Sequence, residues 1–196
     1  KQLANIVSMH LYRQSFNDDL ISQSKLLDLH NQEAITLKTI LQVNGLPIDK
    51  LKRIECFDIS NTQGSNATAS LVVLINGIST NSEYKRFRIK LKDQPNDYAM
   101  IKEVILRRFK HPEWVFPDLI IVDGGAGQLK SCQKALLSLG IKIPAVGLAK
   151  RLETIYLPNG KRINLTLDNP GLHLIQRSRD EAHRFAIAYH RKLRNI

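Results

Sequence analysis

Apolar residues in the first fifty positions recur at near-helical spacing, through Leu20, Ile21, Leu26, Leu27, Leu29, Ile35, Leu37, Ile40 and Leu41. The spacing predicts two short helices that end near Asn44-Gly45, with Pro47 as the stop. Residues 1–50 therefore read as a helical connector that packs on the next domain. The pattern then changes. Arg53 to Ser60 (RIECFDIS) predicts a strand ending in polar residues, and Ala69 to Ile75 (ASLVVLI) a second. Asn76-Gly77 is a hairpin-turn signal, and the alternating segment Glu83 to Lys90 (EYKRFRIK) predicts a third strand.

Asp97 to Lys110 returns to helical spacing through Met100, Ile101, Val104, Ile105 and Leu106. Pro117 to Asp123 (PDLIIVD) is a nearly continuous apolar run, as suits a strand buried on both faces. It ends at Gly124-Gly125, and a helix follows from about Gly127 to Leu139, stopped by Gly140. Ala145 to Ala149 predicts a short buried strand, and Asn159-Gly160 another hairpin. Residues 170–194 predict a long basic helical zone, broken near Ser178. The order β-β-β-α-β-α-β-helix is the chain order of the ribonuclease H-like fold. The expectation is an α/β domain over residues 51–196, a mixed five-stranded sheet flanked by helices. In that fold the first strand lies beside the fourth and parallel to it, which brings Asp58 close to Asp123 at the strand ends where open α/β sheets place ligands.

Composition narrows the partner. The 196 residues suit one domain of ordinary size. A hydrophobic fraction of 43% excludes wholesale disorder. Lys plus Arg number 29 against 18 Asp plus Glu, a net charge of +11. That excess excludes an acidic solvating protein and points to a polyanionic partner, the plain alternative being a solvated basic surface. No apolar run approaches the roughly 18 to 20 residues of a spanning helix, so no membrane partner is expected. Lys1 to Arg13 has no signal-peptide core. Cys56 and Cys132 sit in apolar contexts and read as buried free thiols, which fits a reducing, cytoplasmic setting. No CxxC or His/Cys ladder offers a structural zinc site.

Two aspartates on neighbouring strand ends can hold a divalent cation beside a phosphate, because Mg²⁺ takes one or two carboxylates and keeps waters and phosphate oxygens for the rest of its shell. Singly, Asp58 reads as a strand-end cap and Asp123 as a turn residue. Together, in this topology and with this charge, they read as a metal site. His183 lies in the run DEAHRF, with Asp180 and Ile187 on its helix face. A lone helical histidine is usually a satisfied surface or core residue. On a basic helix facing an anion it is placed to ligate a metal or to handle protons. The Gly124–Gln128 turn admits close backbone approach. It is neither GxGxxG nor a phosphate loop, so nucleotide binding is not supported. On the third strand Lys85, Phe87 and Ile89 face one way and Tyr84, Arg86, Arg88 and Lys90 the other. The second set reads as a surface tracking a nucleic-acid backbone, or as an edge strand with protective charges.

Six blocks together resemble the UvrC family of excinucleases, in its carboxyl-terminal endonuclease half. They are RIECFDISNTQG (53–64), YKRFRIK (84–90), NDYAMIKEVILRR (96–108), PDLIIVDGGAGQL (117–129), VGLAKRLETIYLP (146–158) and LHLIQRSRDEAHRFAIAYHRKLR (172–194). The resemblance implies an endonuclease of nucleotide excision repair, dependent on Mg²⁺ or Mn²⁺, that cuts damaged double-stranded DNA 5′ to the lesion. It implies an active site of Asp58, Asp123 and His183. It also implicates Asp97, which the residues alone read as a helix N-cap or first-turn acid. Contacts to DNA are expected from Lys85, Arg86, Arg88, Lys150, Arg151, Arg179, Arg184, Arg191 and Lys192. The family usually has DISH, whereas Asn61 stands here in place of the histidine and cannot act as a cation or general base.

In the family UvrB is the partner of the full-length protein. The GIY-YIG nuclease, the cysteine cluster, the UvrB-binding segment and the helix-hairpin-helix module are missing from this sequence, which therefore reads as an excised fragment. The competing readings are a basic module that positions DNA for a partner nuclease, and a scaffold that docks proteins through residues 1–50.

Overall fold

The sheet is built outward from β1 (Arg53–Ser60), which pairs antiparallel with β2 (Thr68–Ile75) from Arg53↔Ile75 to Ser60↔Thr68. On its other side β1 runs parallel to β5 (Leu119–Asp123), from Ile54↔Leu119 to Phe57↔Val122. The computed structural model describes residues 2–60, 67–90, 96–149 and 153–194, with side chains over 18–188 of these. β2 turns at Asn76-Gly77 into β3 (Ile78–Ser79). Both turn residues have positive φ, 51° and 75°, as a type I′ hairpin demands and Asn-Gly supplies. β4 (Lys85–Arg88) also pairs with β2. Beyond β5 come β6 (Ala145–Ala149), parallel to it, then antiparallel β7 (Thr154–Tyr156) and β8 (Arg162–Ile163). The mixed sheet expected from the chain order is therefore present, with the β3/β4 edge, β2, β1, β5 and β6 in sequence. Short β3, β7 and β8 bring it to eight strands among the described residues.

Helices α2 (Asp97–Arg108) and α3 (Ala126–Ser138) pack on one face, and α4 (Pro170–Arg194) on the other, with α1 (Gln2–Val43) against α4. Two helix expectations are corrected. The connector forms one continuous helix rather than two, because no Gly or Pro interrupts Gln2–Val43. It stops where expected. Gly45 adopts φ +90°, and the amides of Gly45 and Leu46 donate to the carbonyls of Gln42 and Leu41 at 2.9 and 3.0 Å, a Schellman closure. α4 is likewise unbroken at Ser178, whose buried hydroxyl donates back to the Leu174 carbonyl at 2.8 Å and so is satisfied inside the helix. The third strand is shorter than its sequence pattern. A 3-10 turn at Asn81–Glu83 precedes it, and Tyr84, on the same side as Arg86, is buried beneath α4.

The core is continuous across both faces and takes in Leu37 and Leu41 of α1. On the α2 face it encloses ions. Arg108 and Glu55 have no solvent-exposed side-chain surface and form a bidentate pair at 2.8 and 2.9 Å. Arg108 also donates to the Val115 carbonyl at 2.7 Å, while Arg53 bridges Glu55 to Glu83. Among the described residues no helix is long and apolar enough to cross a membrane. Breaking one partner of a buried pair strands a charge. Arg108→Ala is therefore expected to lower the unfolding free energy by about 3 kcal/mol, the low end of the range because Arg53 still faces Glu55. Urea denaturation followed by circular dichroism measures this, and a loss under about 1 kcal/mol would contradict it.

Candidate active site

Side chains alternate along a strand, so β1 presents Arg53, Glu55 and Phe57 to α2, and Cys56, Asp58 and Ser60 to α4. Asp58 lies one step past the last parallel pair, Phe57↔Val122, and Asp123 ends β5 at the same level. In-register residues of parallel strands share a face at about 4.8 Å spacing. The two aspartates therefore stand side by side, both buried. Ser60 Oγ donates to Asp58 Oδ2 at 3.1 Å. From above, α4 brings His183, whose Nδ1 lies 3.8 Å from Asp58 Oδ2, with the imidazole 56% exposed against 3% for Asp58. The arrangement has a buried carboxylate floor and an open imidazole rim.

Cys56 reports the field of this floor. Burial first, then the charges of Asp123 and Asp58, push its thiol well above its ordinary value, and Arg179 opposes them. Arg179 is thus a cation close to the site. Arg179, expected to contact DNA, is only partly exposed and is engaged by carboxylates. Its guanidinium, 17% exposed, grips both Glu153 oxygens through Nη1 at 2.6 and 2.7 Å, and Asp180 at 2.9 and 3.0 Å. Lys85, also expected to contact DNA, stands apart from this site. Alternation on β4 turns it to the α2 face, 5.1 Å over Trp114 and across the sheet from His183. Arg86 and Arg88 take the other face. Arg86 stands opposite Ser70, itself opposite Asp58, and its guanidinium stacks 3.9 Å over Phe185. Arg184 is 61% exposed and hydrogen-bonded to Glu181 at 2.6 and 2.7 Å.

Asp97 occupies the exposed first turn of α2. The N-cap is Asn96, whose Oδ1 accepts from the amides of Tyr98 and Ala99. A Cβ on Gly127 would meet the Tyr98 ring at 2.5 Å, so the starts of α2 and α3 abut just beyond Asp123. Asp97 thus stands at the end of the sheet where β5 finishes. Arg191 and Lys192 fall in the last turns of α4, whose side chains lie outside the described residues, as do Asn61, Lys150 and Arg151.

Sequence reasoning missed the supports of α4. Tyr84 Oη donates to Glu181 Oε1 at 2.9 Å, and the Tyr84 and Phe185 rings meet edge to face at 5.1 Å. Burial, with the hydrogen bond to Glu181, pushes the Tyr84 phenol up to about 12, so it remains a donor. Only the Glu181/Arg184 spacing of three was a visible local signal.

Donor chemistry fits a small divalent cation. Two ligands of one ion at metal–oxygen distances near 2.1 Å stand about 3–4 Å apart, and Asp58 Oδ2 and His183 Nδ1 do. Among the described residues no three His, Cys, Asp or Glu side chains already close on one point.

A family model for the UvrC RNase H endonuclease domain matches residues 42–187. The chain belongs to this family. UvrABC system protein C of Prosthecochloris aestuarii is 48% identical over 147 residues, which cover 73% of this chain and 24% of that protein. The same protein of Dehalococcoides mccartyi is 42% identical over 206 aligned residues, covering 99% and 33%. The chain thus spans a third or less of these relatives. Among solved structures, endonuclease V from Bacillus subtilis is similar at 14% identity and a TM-score of 0.44, covering 79% of this chain and 94% of that one.

A buried thiol with a raised pKa is a poor nucleophile. Burial raises Cys132 to about 12, and burial first, with the charges of Asp123 and Asp58, raises Cys56 well above its ordinary value. Iodoacetamide at mildly alkaline pH is expected to label neither cysteine in the native chain and both in concentrated guanidinium, read by intact-mass spectrometry.

Proposed function

We propose that this chain is the catalytic domain of a metal-dependent endodeoxyribonuclease that hydrolyses a phosphodiester on the 5′ side of a lesion during nucleotide excision repair. Membership of the UvrC endonuclease family supports the reaction class. The observation that carries the site is the meeting of Asp58, from a buried strand end, with His183 of α4 at 3.8 Å, beside Asp123. In this reading residues 51–196 are the nuclease and residues 1–50 a connector.

Asp58, Asp123 and His183 would hold Mg²⁺ or Mn²⁺, which when bound polarises the phosphoryl oxygen and makes water more acidic. The chain's own residues do the rest. Buried Asp58 and Asp123 concentrate negative charge where a phosphate alone would be repelled, so substrate and cation bind together. Arg86, stacked on Phe185, and Arg88 present cations on the same face, where they hold the flanking phosphates and fix the scissile bond for in-line attack. His183, open to solvent, meets the strand from above. None of these residues forms a base-reading array, so lesion choice falls to other modules of the full-length protein and to its UvrB partner.

Asp123→Ala in the full-length protein is expected to abolish the 5′ cut and spare the 3′ cut on a lesion-bearing duplex. If both cuts persist, the domain is a binding module and the nuclease reading fails. Binding of the isolated chain to duplex DNA should weaken linearly in log–log salt plots. Arg86→Ala and Arg88→Ala should each reduce the slope by about 1, whereas Lys85→Ala, on the far face, should leave it unchanged.

A further inference from the structure

His183 reaches Asp58 from a helix that is only packed on the sheet, and the imidazole itself is more than half exposed. Its position therefore depends on how α4 is held. With a side-chain radius of about 5–6 Å, a roll of about 20° moves a side-chain tip on a helix by about 2 Å. Cation coordination tolerates about 0.2 Å.

Two contacts on either side of the site resist that roll. One turn before His183, Arg179 is fastened to both oxygens of Glu153, next to β7. Glu153 holds φ +49°, a left-handed conformation unfavourable for a residue with a Cβ, so the surrounding structure enforces it. Two residues before His183, Glu181 accepts from buried Tyr84, next to β4. β7 lies beyond β6, on the Asp123 side, and β4 lies beyond β2, on the Asp58 side. The two ties thus pull from opposite edges of the sheet. Glu153 and Tyr84 are anchored beside β7 and β4, not on the β1 and β5 strand ends that carry the carboxylates.

We infer that Arg179–Glu153 and Glu181–Tyr84 are positioning pairs that set the roll of α4 and hold His183 within cation-sharing distance of Asp58. The inference rests on the proposed function in taking Asp58 and His183 as ligands of one ion.

The test is Mn²⁺ binding to the purified chain, measured by the electron paramagnetic resonance signal of free Mn²⁺, with nuclease activity titrated against Mn²⁺ in the full-length protein. Tyr84→Phe keeps the ring against Phe185 and removes only the hydroxyl. Glu153→Ala removes the other tie. Each is expected to raise the Mn²⁺ dissociation constant about 10-fold, with the far-ultraviolet spectrum unchanged and the rate recovered at saturating Mn²⁺. The swap Glu153→Arg with Arg179→Glu is expected to restore part of the affinity lost in Glu153→Ala. If Tyr84→Phe and Glu153→Ala both bind Mn²⁺ like the parent while His183→Ala binds it weakly, the positioning role is overturned and the site reading stands. If His183→Ala also binds like the parent, the site reading itself falls.

Discussion

The parallel pairing of β1 with β5 is the constraint from which the site follows. Its register, Ile54↔Leu119 through Phe57↔Val122, places Asp58 and Asp123 at one level, on one face, at adjacent strand ends. Two carboxylates so close, both largely removed from water, repel each other and lose hydration. A fold keeps such a pair only when the strands that carry it are anchored elsewhere. Here β1, β2 and β5 are buried for almost their whole length, so the apolar ladder holds the register against the repulsion at its end.

Alternation then divides the chemistry between the two faces. The residues of β1 that point to α2 belong to a closed ionic network in which Glu55 meets Arg108 and Arg53, and Arg53 meets Glu83. Those that point to α4 build the carboxylate floor. β4 repeats the division, with Lys85 over Trp114 on one side and Arg86 over Phe185 on the other. A shift of either strand by one residue would exchange the two sets, and the register is protected by the cost of burying the wrong side chains.

The third layer is α4, which has to place an imidazole over a preformed floor. Helix–sheet packing is set by many small apolar contacts and fixes the helix axis better than its roll. Polar ties have directional geometry and fix the roll. Their presence on both sides of His183, one of them holding a strained Glu153, ties the basic helix over the Asp58–Asp123 floor.

Local pattern was enough to read the strands Arg53–Ser60 and Leu119–Asp123, the Asn76-Gly77 turn, the helix stop at Gly45 and the aspartates at the strand ends. Each is decided by side-chain period or turn chemistry within a few residues. The six sequence blocks carried the family. What required the folded chain was the partner of each charge. Arg179 is held by Glu153, 26 residues away, and Tyr84, on the strand face it shares with Arg86, is held by Glu181, 97 residues away. The continuity of α1 and α4 belongs here too, since packing and the internal hydrogen bond of Ser178 outweighed weak local break signals. Periodicity determines which face a residue takes, but which distant group waits on that face is decided only when the layers close.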